Sequence, residues 1–145
     1  MKTEYRKFPP KDVFISVVGR EATEEELWHG APNGIIFNKH TGNEFLDVFA
    51  GMVHHYMNHK PPFYAAKLGV SASELSGCLK VLTGLTADEW ILEYVRLAVC
   101  DLLLHTNRKL TDIAKRTGYA SVKTFSRSFI EHFGMPASSW RYRYR

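Results

Sequence analysis

The stretch Leu110-Thr111-Asp112-Ile113-Ala114-Lys115-Arg116-Thr117-Gly118-Tyr119-Ala120-Ser121, continuing as Val122-Lys123-Thr124-Phe125-Ser126-Arg127-Ser128-Phe129, decides the fold. Ile113 and Ala114 give a short first helix a small apolar face, and Gly118 supplies a turn that needs positive φ. Ser121 is placed to cap a second helix whose Phe125, Phe129 and Phe133 recur at helical spacing. A short helix, a glycine turn and a capped second helix are the sequence form of a helix-turn-helix.

The unit occurs twice. Ala65-Ala66-Lys67-Leu68-Gly69-Val70-Ser71 precedes a helix with Leu75, Cys78, Leu79 and Leu82 on its apolar stripe. Ser71, Leu75, Leu79, Gly84 and Trp90 match Ser121, Phe125, Phe129, Gly134 and Trp140 at a constant offset of fifty residues. One A-x-x-x-G ahead of a capped helix is common in helical hairpins, whereas two in register are far more specific. Between the copies, Trp90, Ile91, Tyr94, Val95, Leu97, Ala98, Cys100 and Leu102–Leu104 predict a single helix from Ala87 to about His105. Thr86 and Glu89 form its capping box and Asn107 closes it. At 1.5 Å per residue such a helix is about 27 Å long. That length holds two units about one DNA turn, roughly 34 Å, apart on one face.

Outward from the repeat, Phe45, Leu46, Phe49, Met52, Val53 and Tyr56 predict a helix that Pro61-Pro62 ends, with the next beginning near Phe63. A short helix from Pro136 to about Arg143 follows the second unit. The expected architecture is mainly α, with about seven helices from residue 43 on. The first helix-turn-helix spans about 63–83, the linker helix about 87–105 and the second helix-turn-helix about 110–133. Residues 1–42 read as an N-terminal arm or small appendage of mixed β/α character. In it Asp12–Val18 and Gly34–Phe37 are β-rich, and Thr23–Leu27 resembles a short capped helix.

With 45% apolar residues, a chain of 145 can bury a core without staples. Cys78 and Cys100 both fall in apolar helical patterns, so they read as buried structural thiols, and a reducing cytoplasm fits best. No stretch is long and apolar enough to predict a membrane span. The charge is unevenly divided: residues 111–145 carry seven basic and two acidic side chains, while residues 61–110 carry five of each. That imbalance predicts a polyanion contact in the second unit and tail. Lys109, Lys115, Arg116, Arg141, Arg143 and Arg145 are the candidate phosphate partners there. His54, His55 and His59 invite a metal reading, since His55 and His59, four residues apart, share a helix face. They lack a third ligand, so a polar helix face is expected and no cofactor. No phosphate loop, nucleophile elbow or paired acid-base constellation appears, which argues against an enzyme.

The segments F-Y-A-A-K-L-G-V-S-A-S-E-L-S (63–76), T-G-L-T-A-D-E-W-I (83–91), L-T-D-I-A-K-R-T-G-Y-A-S (110–121), T-F-S-R-S-F (124–129) and F-G-M-P-A-S-S-W-R (133–141) resemble the DNA-binding domain of the AraC/XylS family of transcription regulators. The resemblance covers roughly residues 43–145. It implies a sequence-specific double-stranded DNA binder that controls transcription through RNA polymerase, its two second helices reading adjacent major-groove segments. By the same resemblance the first reading surface is Ser73, Ser76, Gly77 and Lys80, and the second is Val122, Lys123, Ser126 and Arg127. Arg127 matches the arginine of the family's F-S-R-x-F pattern.

The chain departs from that pattern in two places. Gly77 stands where an arginine often follows the serine, and Ile130-Glu131 stands where the family usually has basic residues. Glu74 also faces a polyanion unless it turns aside. The second unit is therefore expected to dominate affinity. The alternative is a helical protein-interaction module that kept the fold, binding a protein partner or itself through residues 1–42. Family members usually carry a larger sensory domain, so the chain reads either as a stand-alone small regulator or as a fragment of a longer one.

Overall fold

The computed structural model describes residues 7–16 and 38–145. Eight helices are assigned among them: α1 (Pro10–Val13), α2 (Glu44–Tyr56), α3 (Pro61–Leu68), α4 (Ala72–Thr83), α5 (Ala87–His105), α6 (Leu110–Arg116), α7 (Val122–Phe133) and α8 (Ala137–Tyr144). Seven of these follow residue 43, as the apolar periodicity predicts. No strand occurs among the described residues, where β-pairing is limited to an isolated antiparallel bridge between Phe14 and Asn38.

The 19-residue α5 is the axis of the molecule. Thr86 Oγ1 accepts from the Glu89 N–H and the Glu89 carboxylate accepts from the Thr86 N–H, so the capping box satisfies two of the orphan donors at its start. At the far end the Thr106 N–H and hydroxyl both return to the Leu102 carbonyl, so Thr106 closes the helix one residue before the expected Asn107. Trp90, Tyr94, Phe49 and Tyr64 pack together at the centre of the first unit, with Trp90 stacked on Tyr94 at 5.6 Å and Phe49 tilted against Trp90 at 5.4 Å. Leu75 and Leu79 of α4 are fully buried in the same core. The second unit has an aromatic spine of its own. Phe125, Phe129 and Phe133 follow one face of α7, and Phe129 meets Trp140 of α8 edge-on at 5.9 Å.

Several boundaries differ from the sequence reading. α3 begins at Pro61, because a proline at the first helical position loses only an N–H that would be unpaired anyway. Over its described part, Asp12–Val18 is β-like only at Phe14, which is extended and bridges Asn38, while Asp12 and Val13 are helical. Pro10 opens a single helical turn that carries Val13 into the core at 1% exposure. Val17 and Val18, the Thr23–Leu27 helix and the Gly34–Phe37 strand lie outside the described residues. α2 stops at Tyr56, since Met57 leaves the helix at φ +61, so His55 and His59 do not share a helix face. His54 is not on a polar face either: it is buried, with Nδ1 3.2 Å from the Tyr94 hydroxyl. Cys78 and Cys100 are half-buried free thiols rather than fully buried ones.

The described part of the expected arm is packed down. The Lys7 N–H bonds the Thr83 carbonyl at the end of α4, and the Trp90 indole N–H bonds the Phe8 carbonyl. Phe14 packs edge-on against Tyr94 at 5.3 Å, and the Ser16 hydroxyl donates to Asp101 on α5. Burying Val13 alone is worth about 1.5–3 kcal/mol. Val13 thus joins the first unit's core, with Phe8 and Phe14 packed against it.

Candidate nucleic-acid interface

Each unit presents its second helix through the same local chemistry. α3 ends at Gly69 in the left-handed region (φ 74°, ψ 26°), and the Val70 N–H reaches back to the Ala65 carbonyl at 3.0 Å. α6 ends with Thr117 and Gly118 (φ 83°), and the Tyr119 N–H reaches back to the Ala114 carbonyl at 2.9 Å. Both are Schellman-type closures, and Ala65 and Ala114 are small enough to let the second helix pack closely. Ala120 is an extra residue in the second turn, which is why the offset between copies rises from forty-nine to fifty there.

The second helices are capped by Ser71 and Ser121, whose hydroxyls accept from the Glu74 and Thr124 N–H groups at 3.0 and 3.1 Å. Glu74 completes a capping box by accepting from the Ser71 N–H at 2.8 Å. That backbone bond holds its carboxyl below the usual carboxylate range and turns it back onto the helix start. The charge that the sequence left facing a polyanion is therefore used to stiffen α4.

The eight expected reading residues fall on two outer faces. On α4, Ser73, Gly77 and Lys80 are exposed and Ser76 is half-buried, opposite Leu75 and Leu79. On α7, Val122, Lys123 and Arg127 are exposed and Ser126 is half-buried, opposite Phe125 and Phe129. Lys123 and Arg127 are one turn apart on one strip of α7. In register with them on α4 stand Ser73 and Gly77, and a Cβ built on Gly77 meets nothing within 4 Å. Only Lys80 supplies a cation there, and its match on α7 is the exposed Ile130.

The expected phosphate partners separate into two kinds. Lys109 is the residue that precedes α6, and it and Lys115 are exposed. Arg116 is exposed, with Nε 3.3 Å from Asp112, a carboxylate that Arg108 also meets at 2.9 Å. The Arg108 hydrogen bond holds the Asp112 carboxyl below its usual range, and Arg116 adds to the effect. Arg141 is placed differently. Its guanidinium donates to the carbonyls of Leu103 (3.0 Å), Arg108 (2.7 Å), Thr106 (2.8 Å) and Leu102 (3.5 Å). Leu103 carries one of the last carbonyls of α5, which lack an intrahelical donor, so Arg141 clamps α8 to the end of the linker helix and its donors point inward. Arg145 donates to the Asn107 side chain. Of the tail aromatics, Tyr144 packs on Trp140 at 5.1 Å while Tyr142 is 91% exposed.

One cation escaped the sequence reading. Lys67 lies on α3 at the position matching Arg116, exposed, with its ammonium 4.7 Å over the Tyr56 ring and 5.3 Å over Phe63. The signal that finds it is the repeat alignment itself. Among the described residues no group of three or more His, Cys, Asp or Glu side chains comes together as a metal site, and no helix is long and apolar enough to cross a membrane.

Comparison with known proteins agrees with this geometry. The family model described as a helix-turn-helix domain matches residues 64–143, more than half the chain. The lactose operon transcription activator of Staphylococcus xylosus is 31% identical over 81 residues, which cover 55% of this chain but only 29% of that protein. Among solved structures, the C-terminal domain of the two-component response regulator yesN from Fusobacterium nucleatum superposes with a TM-score of 0.62 at 20% identity. That match covers 68% of this chain and 99% of the other. The DNA-binding domain of the global transcriptional factor AdpA, solved in complex with a target DNA, gives a TM-score of 0.59 at 20% identity, covering 67% of this chain and 89% of that one. At such identities the two structures share the fold with this chain. The duplicated turns, the two capped second helices and the family match over both copies together place the chain in the AraC-type family of helix-turn-helix transcription regulators.

Proposed function

We propose that this chain binds double-stranded DNA sequence-specifically and regulates transcription, with α4 and α7 entering adjacent major-groove segments of one asymmetric site. The observation that carries the reading is the pair Lys123 and Arg127, exposed one turn apart on the outer face of a helix whose inner face is an aromatic spine. The AdpA domain, of the same fold, is described with its target DNA, which supports the same use of the fold here.

Arg127 is the principal base reader. Its planar fork of donors matches guanine O6 and N7 together, worth about 1–3 kcal/mol of discrimination. Lys123, Lys109, Lys115 and Arg116 attract and position the phosphate backbone, a sequence-independent contribution that weakens with salt. α4 contributes less, because Gly77 leaves open the place where α7 carries Arg127. Once seated, the domain controls transcription by contacting RNA polymerase.

A competing reading as a protein-interaction module draws on α4, where Val81 is 77% exposed beside Gly77. The two are separated by selecting sites from a random duplex pool and measuring affinity against scrambled competitor. Specific DNA binding predicts a selected consensus and a loss of about tenfold or more for Arg127→Ala. Failure to prefer any sequence over competitor sinks the DNA-reading claim in favour of the interaction module.

A further inference from the structure

The connection between the two units is not confined to the linker helix. Gly69 and Gly118 occupy the same place in the repeat and both have positive φ, yet their surroundings differ. A Cβ on Gly69 meets nothing within 4 Å. A Cβ on Gly118 meets the backbone of Asn58, 2.7 Å from its nitrogen and 3.0 Å from its oxygen. Asn58 belongs to the segment after α2, in the other unit. Its N–H donates to the carbonyl of Thr117 at 3.2 Å, immediately before Gly118.

The segment is held firmly for this contact. Met57 takes up φ +61° and ψ −132°, a conformation that costs a non-glycine residue about 1–3 kcal/mol and persists only where its surroundings over-determine it. Here they do. Its N–H bonds the Val53 carbonyl, its own carbonyl accepts from the buried Tyr64 hydroxyl, and its side chain is buried. On the far side His59 stacks on Phe63 with ring centres 3.9 Å apart, and Pro61 restarts the helix. Thr117 is equally fixed, fully buried with its hydroxyl on the Ile113 carbonyl.

We propose that Asn58 and Gly118 form a backbone lock that fixes the second unit against the first and makes the spacing between the two half-sites a determinant of specificity. The inference rests on the two-unit DNA reading above. One helix joined to two units leaves them free to rock about its ends, whereas a second contact away from the helix axis removes that freedom. A locked pair of reading helices fits one separation and one rotation along the duplex. Each inserted base pair moves one half-site by about 3.4 Å and rotates it by about 34°, which the locked protein accommodates only by deforming the DNA.

The test uses duplexes carrying the selected half-sites at the native separation and at one and two base pairs more or less. Wild type is expected to lose about tenfold or more in affinity for each base pair of change. Gly118→Ala, which pushes the Asn58 backbone away, is expected to flatten that profile. Gly69→Ala carries the same positive-φ strain without the contact, and it is expected to keep the wild-type profile. Should Gly118→Ala fail to fold, inserting two glycines between Asn58 and His59 loosens the lock with both turns intact and should flatten the profile equally.

A wild-type protein that binds specifically yet tolerates every spacing overturns the lock while leaving the DNA reading standing. So does a loosened variant whose profile matches wild type. A wild-type protein with no specific binding at any spacing removes the DNA reading, and the lock's role in specificity with it.

Discussion

Replacing Gly118 by alanine should destabilise the protein far more than replacing Gly69, although both glycines close a helix in the left-handed region. For Gly69 (φ 74°) the penalty is the steric cost of an L side chain at positive φ, about 1–2 kcal/mol. It is offset by about 0.4–1 kcal/mol because alanine restricts the unfolded chain. The net is about 1 kcal/mol, since the new methyl enters open space. For Gly118 (φ 83°) the same balance applies, but the methyl would sit 2.7 Å from the Asn58 nitrogen. Backbone cannot swing aside as a side-chain tip does, so an overpacking cost of about 1–3 kcal/mol is added. Displacing Asn58 also breaks its bond to Thr117, worth about 1 kcal/mol. The sum is about 3–5 kcal/mol, leaving a difference of about 2–4 kcal/mol between two chemically identical substitutions. Urea unfolding followed by far-UV circular dichroism, with m-values checked for constancy, measures it directly. Equal destabilisation of the two variants, within about 0.5 kcal/mol, would refute the argument that the second glycine is needed for close approach.

Four further substitutions have expected outcomes. Arg141→Ala should lower stability by about 2–3 kcal/mol by stripping donors from the end of α5, yet leave the slope of log affinity against log salt unchanged. Lys115→Ala should instead reduce that slope by about 0.9; a similar drop for Arg141→Ala would make Arg141 a phosphate contact after all. Gly77→Arg should tighten DNA binding and steepen the salt slope, because the position is open and matches Arg127, while helix stability rises by about 0.5–1 kcal/mol. Affinity titrations at several salt concentrations read both effects. Asp112→Asn concerns pH: the carboxyl is held below its unfolded range by Arg108 and Arg116, so its stabilising effect is present above that range and is lost as pH falls through the lowered value. An acid titration should show a wild-type advantage at neutral pH that disappears in acid, and a gap that persists below the carboxylate range would contradict it.

The repeat, the long linker and the capped second helices were legible because each depends on residues close in sequence. Apolar spacing sets the buried faces of α4, α5 and α7, and Ser71, Thr86 and Ser121 sit one residue ahead of the helices they cap. The outward placement of the candidate reading residues was legible for the same reason, since a helix that buries Phe125 and Phe129 must turn Lys123 and Arg127 outward. The inward placement of Arg141 was not legible because an arginine in a basic tail has the same composition whether it faces phosphate or the carbonyls at the end of α5. The Pro10–Val13 turn was missed because Val13-Phe14-Ile15 is a short apolar run, for which strand and helix cannot be told apart by spacing. Asn58 left no trace at all: its role is carried by backbone atoms against backbone atoms, and the side chain that matters is the one Gly118 lacks.

In the proposed DNA complex α7, through Arg127, reads the sequence and α4 only supports it. The most direct measurement is the binding free energy of wild type and Arg127→Ala for every single-base substitution across the selected site. One cluster of positions should cost about 1–3 kcal/mol each and be erased by Arg127→Ala, beside a shallower cluster that survives the substitution. Two equally deep clusters, or a deep cluster indifferent to Arg127, would contradict it.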